Sequence, residues 1–89
     1  HFSLSAAPNP FNSATAIRTS VPCTVVARLT VYATDGRAVR ALTPTAAAGM
    51  HTFVWDGRDE AGRRIASGVY LCRLEASHQT SVIRVTVIR

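Results

Sequence analysis

The chain has 89 residues, and its ten arginines outnumber its five carboxylates, which gives a net charge of +5 at pH 7. This length allows one domain, residues 1–89, because so short a chain buries only about 60 to 65% of its unfolded surface. No apolar run approaches the ~20 residues of a membrane-spanning helix, so we expect no membrane span. The arginines in strand-like runs lie between apolar residues instead of forming a stripe, which argues against a nucleic-acid partner.

Helical periodicity is almost absent, and the chain is predicted to be all-β. A short strand of alternating apolar and polar residues is expected at residues 2–4, and a second strand is expected at 15–21. A proline-containing run between them is predicted to be a rigid turn or crossover, because proline cannot donate to a strand ladder. This run consists of Pro8, Asn9, Pro10, Phe11 and Asn12.

A hairpin is predicted in the first half of the chain. Asp35 and Gly36 stand between two extended runs, and an Asp-Gly pair in this position is a strong hairpin signal. We expect the turn to join a strand at 25–32, which has apolar residues at alternate positions, to a returning strand at 37–42. A loop of small residues should follow at 44–49.

The most specific pattern runs from Trp55 to Leu74. It predicts a strand at 50–55, a polar loop at 56–64, brief pairing at 65–67 and a long strand at 69–76, with a last strand at 81–88 after a short turn. The turn-forming residues of this stretch are Asp56, Gly57, Gly62 and Gly68. About seven antiparallel strands at regular spacing predict a β-sandwich.

Two cysteines leave two interpretations open. Cys23 and Cys72 could form a disulfide that closes a loop of about 50 residues, or they could be two buried thiols. Strand parity places Cys72 on the same face as Tyr70 and Leu74, which is predicted to face inward.

No catalytic or cofactor site is predicted from the residues. The histidines and cysteines lack the close spacings of zinc sites, and no serine stands in a nucleophile motif, so we expect neither an enzyme nor a cofactor. Asp56, Asp59 and Glu60 form the one acidic cluster. They are candidate calcium ligands, but they are interpreted as turn residues that pair with neighbouring arginines.

Trp55 and Tyr70 bracket the polar loop and invite two interpretations. They could stack on a sugar, since aromatic faces suit carbohydrate recognition. Large aromatic residues also close the ends of small sandwich cores, and this second role explains both positions.

These motifs, in this order and spacing, resemble a known family over almost the whole chain. The residues that carry the resemblance are Asn9, Pro10, Phe11, Asn12, Asp35, Gly36, Trp55, Asp56, Gly57, Gly62, Gly68 and Tyr70. They resemble the type A C-terminal sorting domain of type IX secretion cargo, which is similar to the Ig-like domain of the flagellar hook-capping protein FlgD. Ser13 departs from the pattern, which commonly has proline there, and the two cysteines are not part of it.

The resemblance implies an immunoglobulin-like sandwich at the end of an exported protein. Its partners would be the secretion machinery or a cell-surface acceptor, and its location would be secreted, extracellular or on the bacterial outer surface. Recognition in such domains implicates the last strands, here residues 69–76 and 81–89.

A second hypothesis starts from the ends of the chain. The first predicted strand begins near residue 2 and the last ends near residue 89, so we expect either a domain cut from a longer protein or a stand-alone subunit. A stand-alone subunit could bind copies of itself by adding a terminal strand to a neighbour's sheet edge, which would build an extracellular filament. Apolar residues on both faces of the last strand, such as Val82 and Val85, fit this hypothesis.

Overall fold

The computed structural model describes residues 3–21, 27–45, 49–76 and 79–88, and these residues fold as strands, turns and loops. The seven strands are β1 (Ser3–Ala7), β2 (Thr15–Val21), β3 (Ala27–Ala33), β4 (Ala38–Thr45), β5 (Gly49–Trp55), β6 (Gly68–Ala76) and β7 (Gln79–Val87). The all-β prediction is therefore confirmed. No helix in the described ranges is long and apolar enough to cross a membrane.

The strands form two antiparallel sheets that face each other. One sheet has three strands in the order β1-β2-β5, and the other has four in the order β4-β3-β6-β7. Every strand pair in both sheets is antiparallel. This architecture confirms the predicted immunoglobulin-like sandwich of seven strands.

The hairpin between β3 and β4 follows the predicted turn. Gly36 has a φ of +92°, a conformation that glycine adopts without steric cost. The Asp35 carboxylate accepts a hydrogen bond from the Arg37 backbone N–H at 2.9 Å, and the Ala33 N–H donates to the Arg37 carbonyl at 2.8 Å. The turn is thus fixed by the two residues that predicted it.

The core lies between the sheets and is supplied by alternate residues of the inner strands. On β3, Leu29 and Val31 are buried while Arg28 between Ala27 and Leu29 is exposed, as the alternation predicts. Burying one such aliphatic side chain contributes about 1.5 to 3 kcal/mol. The remaining large buried apolar residues are Phe11, Ile17, Val39, Trp55, Tyr70, Cys72, Leu74, Val85 and Val87.

Several boundary predictions differ from the structure. β1 continues to Ala7, three residues past its predicted end, and β7 begins at Gln79, two residues before its predicted start. The loop predicted at 44–49 is wrong at its start, because β4 continues through Pro44 to Thr45. Proline is compatible with this position because β4 lies at a sheet edge. The brief pairing predicted at 65–67 lies outside the seven strands and is confirmed at Ile65, whose N–H donates to the Gly57 carbonyl at 3.2 Å. An isolated bridge joins the neighbouring Arg64 to Arg58.

Several predicted features lie outside the described residues. They include Phe2 in the first strand, Cys23 and the start of the strand predicted at 25–32, the alanines at 46–48, and the turn at 77–78.

Candidate interaction surfaces

Three aromatic rings pack together in the core where β5 ends and β6 begins. The ring centroids of Phe11 and Trp55 are 5.4 Å apart, and those of Trp55 and Tyr70 are 6.2 Å apart in an edge-to-face arrangement. Trp55 is 1% exposed and Tyr70 is 9% exposed. Neither ring presents a face to solvent, so the structure does not offer the pair as a platform for a sugar.

The polar groups of Trp55 and Tyr70 form hydrogen bonds that hold the loop between these two residues. The Trp55 Nε1–H donates to the Arg58 carbonyl at 3.1 Å, and the Tyr70 hydroxyl donates to the Ala66 carbonyl at 2.8 Å. Buried tryptophan and tyrosine need such partners for their polar atoms. The two aromatic residues therefore join the sandwich core to both ends of the loop.

Two aspartates of this loop accept hydrogen bonds from backbone N–H groups a few residues further along the loop. One Asp59 oxygen accepts from the Ala61 and Arg63 N–H groups at 3.0 and 2.9 Å, and an Asp56 oxygen accepts from the Arg58 N–H at 3.2 Å. The bond from the Arg63 backbone is the main reason why the pKa of Asp59 lies below its ordinary value. In the described part of the chain, no group of three or more His, Cys, Asp or Glu side chains could hold a metal ion.

Glycine turns complete the loop. Gly62 has a φ of +82°, and its N–H donates to the Asp59 carbonyl at 3.0 Å while its carbonyl accepts from Arg58 Nη1 at 2.8 Å. Gly57 lies at the start of the loop, where it is buried, and Gly68 is the first residue of β6. The loop is a compact, internally bonded structure rather than an open ligand site.

Glu60 extends this loop over the outer edge of β4. Its backbone N–H donates to the Val39 carbonyl at 3.1 Å, and its carboxylate accepts from the Ala41 N–H at 2.6 Å. The Arg40 guanidinium lies 3.4 Å from the Asp56 carboxylate in the same region. The polar loop thus covers one edge of the four-stranded sheet.

The proline-containing run covers the opposite edge of that sheet, at β7. The Asn9 amide donates to the Arg84 carbonyl at 2.8 Å and accepts from the Thr86 N–H at 3.0 Å. The Phe11 N–H donates to the Thr86 carbonyl at 3.0 Å, and its carbonyl accepts from the Ile88 N–H at 2.8 Å.

An asparagine side chain can make this contact because it carries both a donor and an acceptor, as a peptide group does. The sequence predicted a rigid turn or crossover here, and the structure adds an edge-pairing role that local residue patterns do not encode. Pro10 lies exposed between the two pairing residues, and Asn12 is exposed after them.

Cys72 is a free and fully buried thiol on β6. Burial raises its pKa to about 12. It lies between the inward-facing Tyr70 and Leu74, which confirms the predicted parity of this strand. Its predicted alternative partner, Cys23, lies outside the described residues.

The outer face of the four-stranded sheet carries an apolar groove with arginine at its side. A cavity of about 340 Å³ is lined there by Tyr32, Leu71, Arg73, Thr80 and Val82, among others. Arg73 Nη2 lies 3.2 Å from the Glu75 carboxylate, whereas its Nε is buried and has no hydrogen-bond partner among the described residues. This groove spans β3, β6 and β7, and the last two are the strands that the resemblance implicates in recognition.

Comparisons with known proteins give one family and one structural relative. The model of the FlgD Ig-like domain matches residues 12–80. A solved structure of PorZ, described as an essential bacterial surface component of the type IX secretion system of Porphyromonas gingivalis, superimposes with a TM-score of 0.68 at 23% identity. The match covers 98% of this chain but 12% of the PorZ chain. No curated protein sequence matches the chain.

Proposed function

Because the chain belongs to the FlgD Ig-like domain family, we propose that it is a non-catalytic module that directs an exported protein through type IX secretion to the cell surface. The groove on the outer face of β6 and β7 is the surface that the secretion machinery or a surface acceptor contacts. The domain works in the secreted or surface-bound state.

One observation carries this proposal. Two signature segments, the proline-containing run at 8–12 and the polar loop at 56–64, use the side chains of Asn9 and Asp59 for hydrogen bonds within the fold, whereas the outer face of β6 and β7 combines exposed apolar area with arginine. A recognition surface commonly has an apolar centre and arginine within or beside it. The likeness of the fold to a domain of PorZ supports the assignment to type IX secretion.

Export of a fusion protein tests the proposal. The domain is placed at the C-terminus of a fluorescent reporter with a signal peptide and expressed in a bacterium that has a type IX system. The reporter should reach the cell surface, and it should stay in the periplasm of a secretion-deficient strain. Retention in the periplasm of the intact strain would contradict the proposal.

A filament subunit is the second candidate function. The exposed apolar side chains of Val82 on β7 and of Ile88, the residue after it, favour this function. Asn9 and Phe11 already pair with the β7 edge between Arg84 and Ile88, so an added strand would have to displace them or pair nearer to Gln79. A filament subunit would sediment as a polymer, whereas an export module would sediment as a small species.

A further inference from the structure

The outer face of the four-stranded sheet carries its side chains in rows that run across β3, β6 and β7. Alternate residues of a strand point to the same side, so paired residues on the three strands share this face. Each of three successive rows contains one arginine. In the order β3, β6, β7, the rows are Arg28, Glu75 and Thr80; Thr30, Arg73 and Val82; and Tyr32, Leu71 and Arg84.

The three arginines form a diagonal line across these rows, which we call the arginine line: Arg28, Arg73 and Arg84. Each step along it moves one strand across and two residues along the strand. Side chains in this relation are about 7 to 8 Å apart. No such line is predicted from the sequence, because it depends on the strand order β3-β6-β7, which local patterns do not give.

Positive charge is in excess on this face. Arg73 pairs with Glu75, whereas Arg28 and Arg84 are exposed and neither forms an ion pair with a described residue. Glu75 is the one carboxylate in the three rows. The other carboxylates of the chain lie in the hairpin turn and the polar loop; they are Asp35, Asp56, Asp59 and Glu60. The arginine line is therefore complementary to a partner that carries negative charge.

Arg73, at the centre of the line, keeps donor capacity beyond its ion pair. Its Nε is buried and has no hydrogen-bond partner among the described residues, although the side chain as a whole is 42% exposed. A guanidinium has five N–H donors and no acceptor. Because the fold has already removed water from one of these donors, an acidic partner displaces less hydration here than at a fully exposed arginine.

Apolar side chains lie on both sides of the arginine line. Tyr32 and Leu71 lie on one side, and the half-exposed Val82 lies on the other. All three line the cavity of about 340 Å³ on this face. A partner that covered them would exclude water from the charges between them, and charge pairs are stronger where water is excluded.

An acidic protein segment fits this face better than a nucleic acid does. Nucleic-acid binding depends on neutralising many phosphates, whereas this line offers three cations with Glu75 beside them. An extended protein segment carries alternate side chains on one side at a spacing of about 6.5 to 7 Å. Carboxylates at alternate positions of such a segment can therefore meet successive arginines of the line.

We propose that the arginine line binds an extended, acidic segment of the partner protein, with aspartate or glutamate at alternate positions. The carboxylates pair with Arg28, Arg73 and Arg84, and the segment covers Leu71 and Val82. This inference rests on the proposed function, because it names the chemistry of the partner that contacts the same face.

A peptide titration followed by amide NMR tests the inference. The probe is a capped peptide of about seven residues in which glutamate alternates with threonine. Its binding should shift amide signals of β6 and β7 and leave those of β2 unchanged. The affinity should fall as NaCl rises from about 50 to about 500 mM, because salt screens exposed charges. A matched peptide with glutamine in place of glutamate is the negative control.

Two double variants separate the arginine line from the charge of the whole domain. Arg28→Gln with Arg84→Gln removes both ends of the line, and it should weaken peptide binding about tenfold. Arg18→Gln with Arg64→Gln lowers the net charge by the same amount at exposed positions on β2 and in the polar loop, and it should change binding less than about twofold. The amide spectrum of each free variant verifies that the fold is retained.

Four results would overturn the inference. They are the absence of β6 and β7 shifts at peptide concentrations up to about 1 mM, equal binding of the glutamine peptide, equal loss of binding in both double variants, and tighter binding of a thymidine oligonucleotide than of the glutamate peptide.

The peptide experiment and the export experiment fail separately. If the reporter is exported but the peptide does not bind, this inference alone is wrong. If the peptide binds as expected but the reporter stays in the periplasm, the acidic-segment site stands and the export function is wrong.

Discussion

At the scale of single residues, the signature motifs act mainly through hydrogen bonds to backbone. Asn9 bonds the edge of β7, Trp55 and Tyr70 bond carbonyls of the loop between them, and Asp59 bonds N–H groups of its own turn. A single net hydrogen bond contributes about 0.5 to 1.5 kcal/mol. These residues therefore fix the chain path, and their presence in a pattern does not indicate chemistry on a ligand.

The buried thiol gives a prediction at this scale. In a Cys23→Ser variant, Cys72 is the one remaining thiol, and its high pKa of about 12 together with its full burial should block reaction with Ellman's reagent at pH 8. The same variant should react rapidly in denaturant. Rapid reaction of the folded variant would contradict the placement of Cys72 in the core.

Asp59 gives a prediction about pH. Its pKa is lowered in the folded state, chiefly by the hydrogen bond from the Arg63 backbone. A lowered folded-state pKa means that the ionised carboxylate stabilises the fold above its ordinary pKa of 3.8, and that this contribution is lost as the pH falls through the folded value. Asp59→Asn should therefore lower the free energy of unfolding at pH 7, and the difference from the unsubstituted chain should shrink below pH 3.8. A difference that stays constant down to pH 2 would contradict this role.

At the scale of elements, the two signature segments cover the two edges of the four-stranded sheet. Phe11 forms a short parallel bridge with β7, and the Asn9 side chain bonds the same edge. Glu60 bonds the Val39 carbonyl and the Ala41 N–H on the outer edge of β4. Uncovered edges invite pairing with other chains. The segments that made the sequence recognisable thus limit where this domain can accept a strand.

The Asn9 contact can be tested by substitution. Asn9→Ala removes both side-chain hydrogen bonds to β7 and should lower the free energy of unfolding by about 1 to 2 kcal/mol. The Thr86 amide should also exchange faster with solvent, because Asn9 is its acceptor. Ser13→Ala, an exposed change in the same loop, is the control and should shift stability by less than about 0.5 kcal/mol. Unchanged protection at Thr86 would show that another group covers this edge.

At the scale of the whole molecule, local patterns predicted the strands but could not predict the edge contacts. The alternation of buried and exposed residues on β3 and the Asp35-Gly36 turn depend on residues close together in the chain, so both can be predicted from the sequence. Asn9 and Thr86 are 77 residues apart, and no local pattern encodes their contact. Pro44 indicated a loop because the edge position that accommodates it is a property of the complete sheet. The groove on β6 and β7 likewise requires the strand order 3-6-7, which periodicity does not give.

The central claim is that the secretion machinery or a surface acceptor binds the outer face of β6 and β7 during export. The most direct measurement is the ratio of reporter fusion on the cell surface to reporter fusion in the periplasm. Val82→Glu adds a charge to the groove without disturbing the core, because Val82 is half exposed. We predict that this ratio falls about tenfold or more for Val82→Glu, as expected for a disrupted central contact, and stays unchanged for Ser5→Glu, an exposed change on the other sheet. An equal ratio for both variants and the unsubstituted domain would contradict the account.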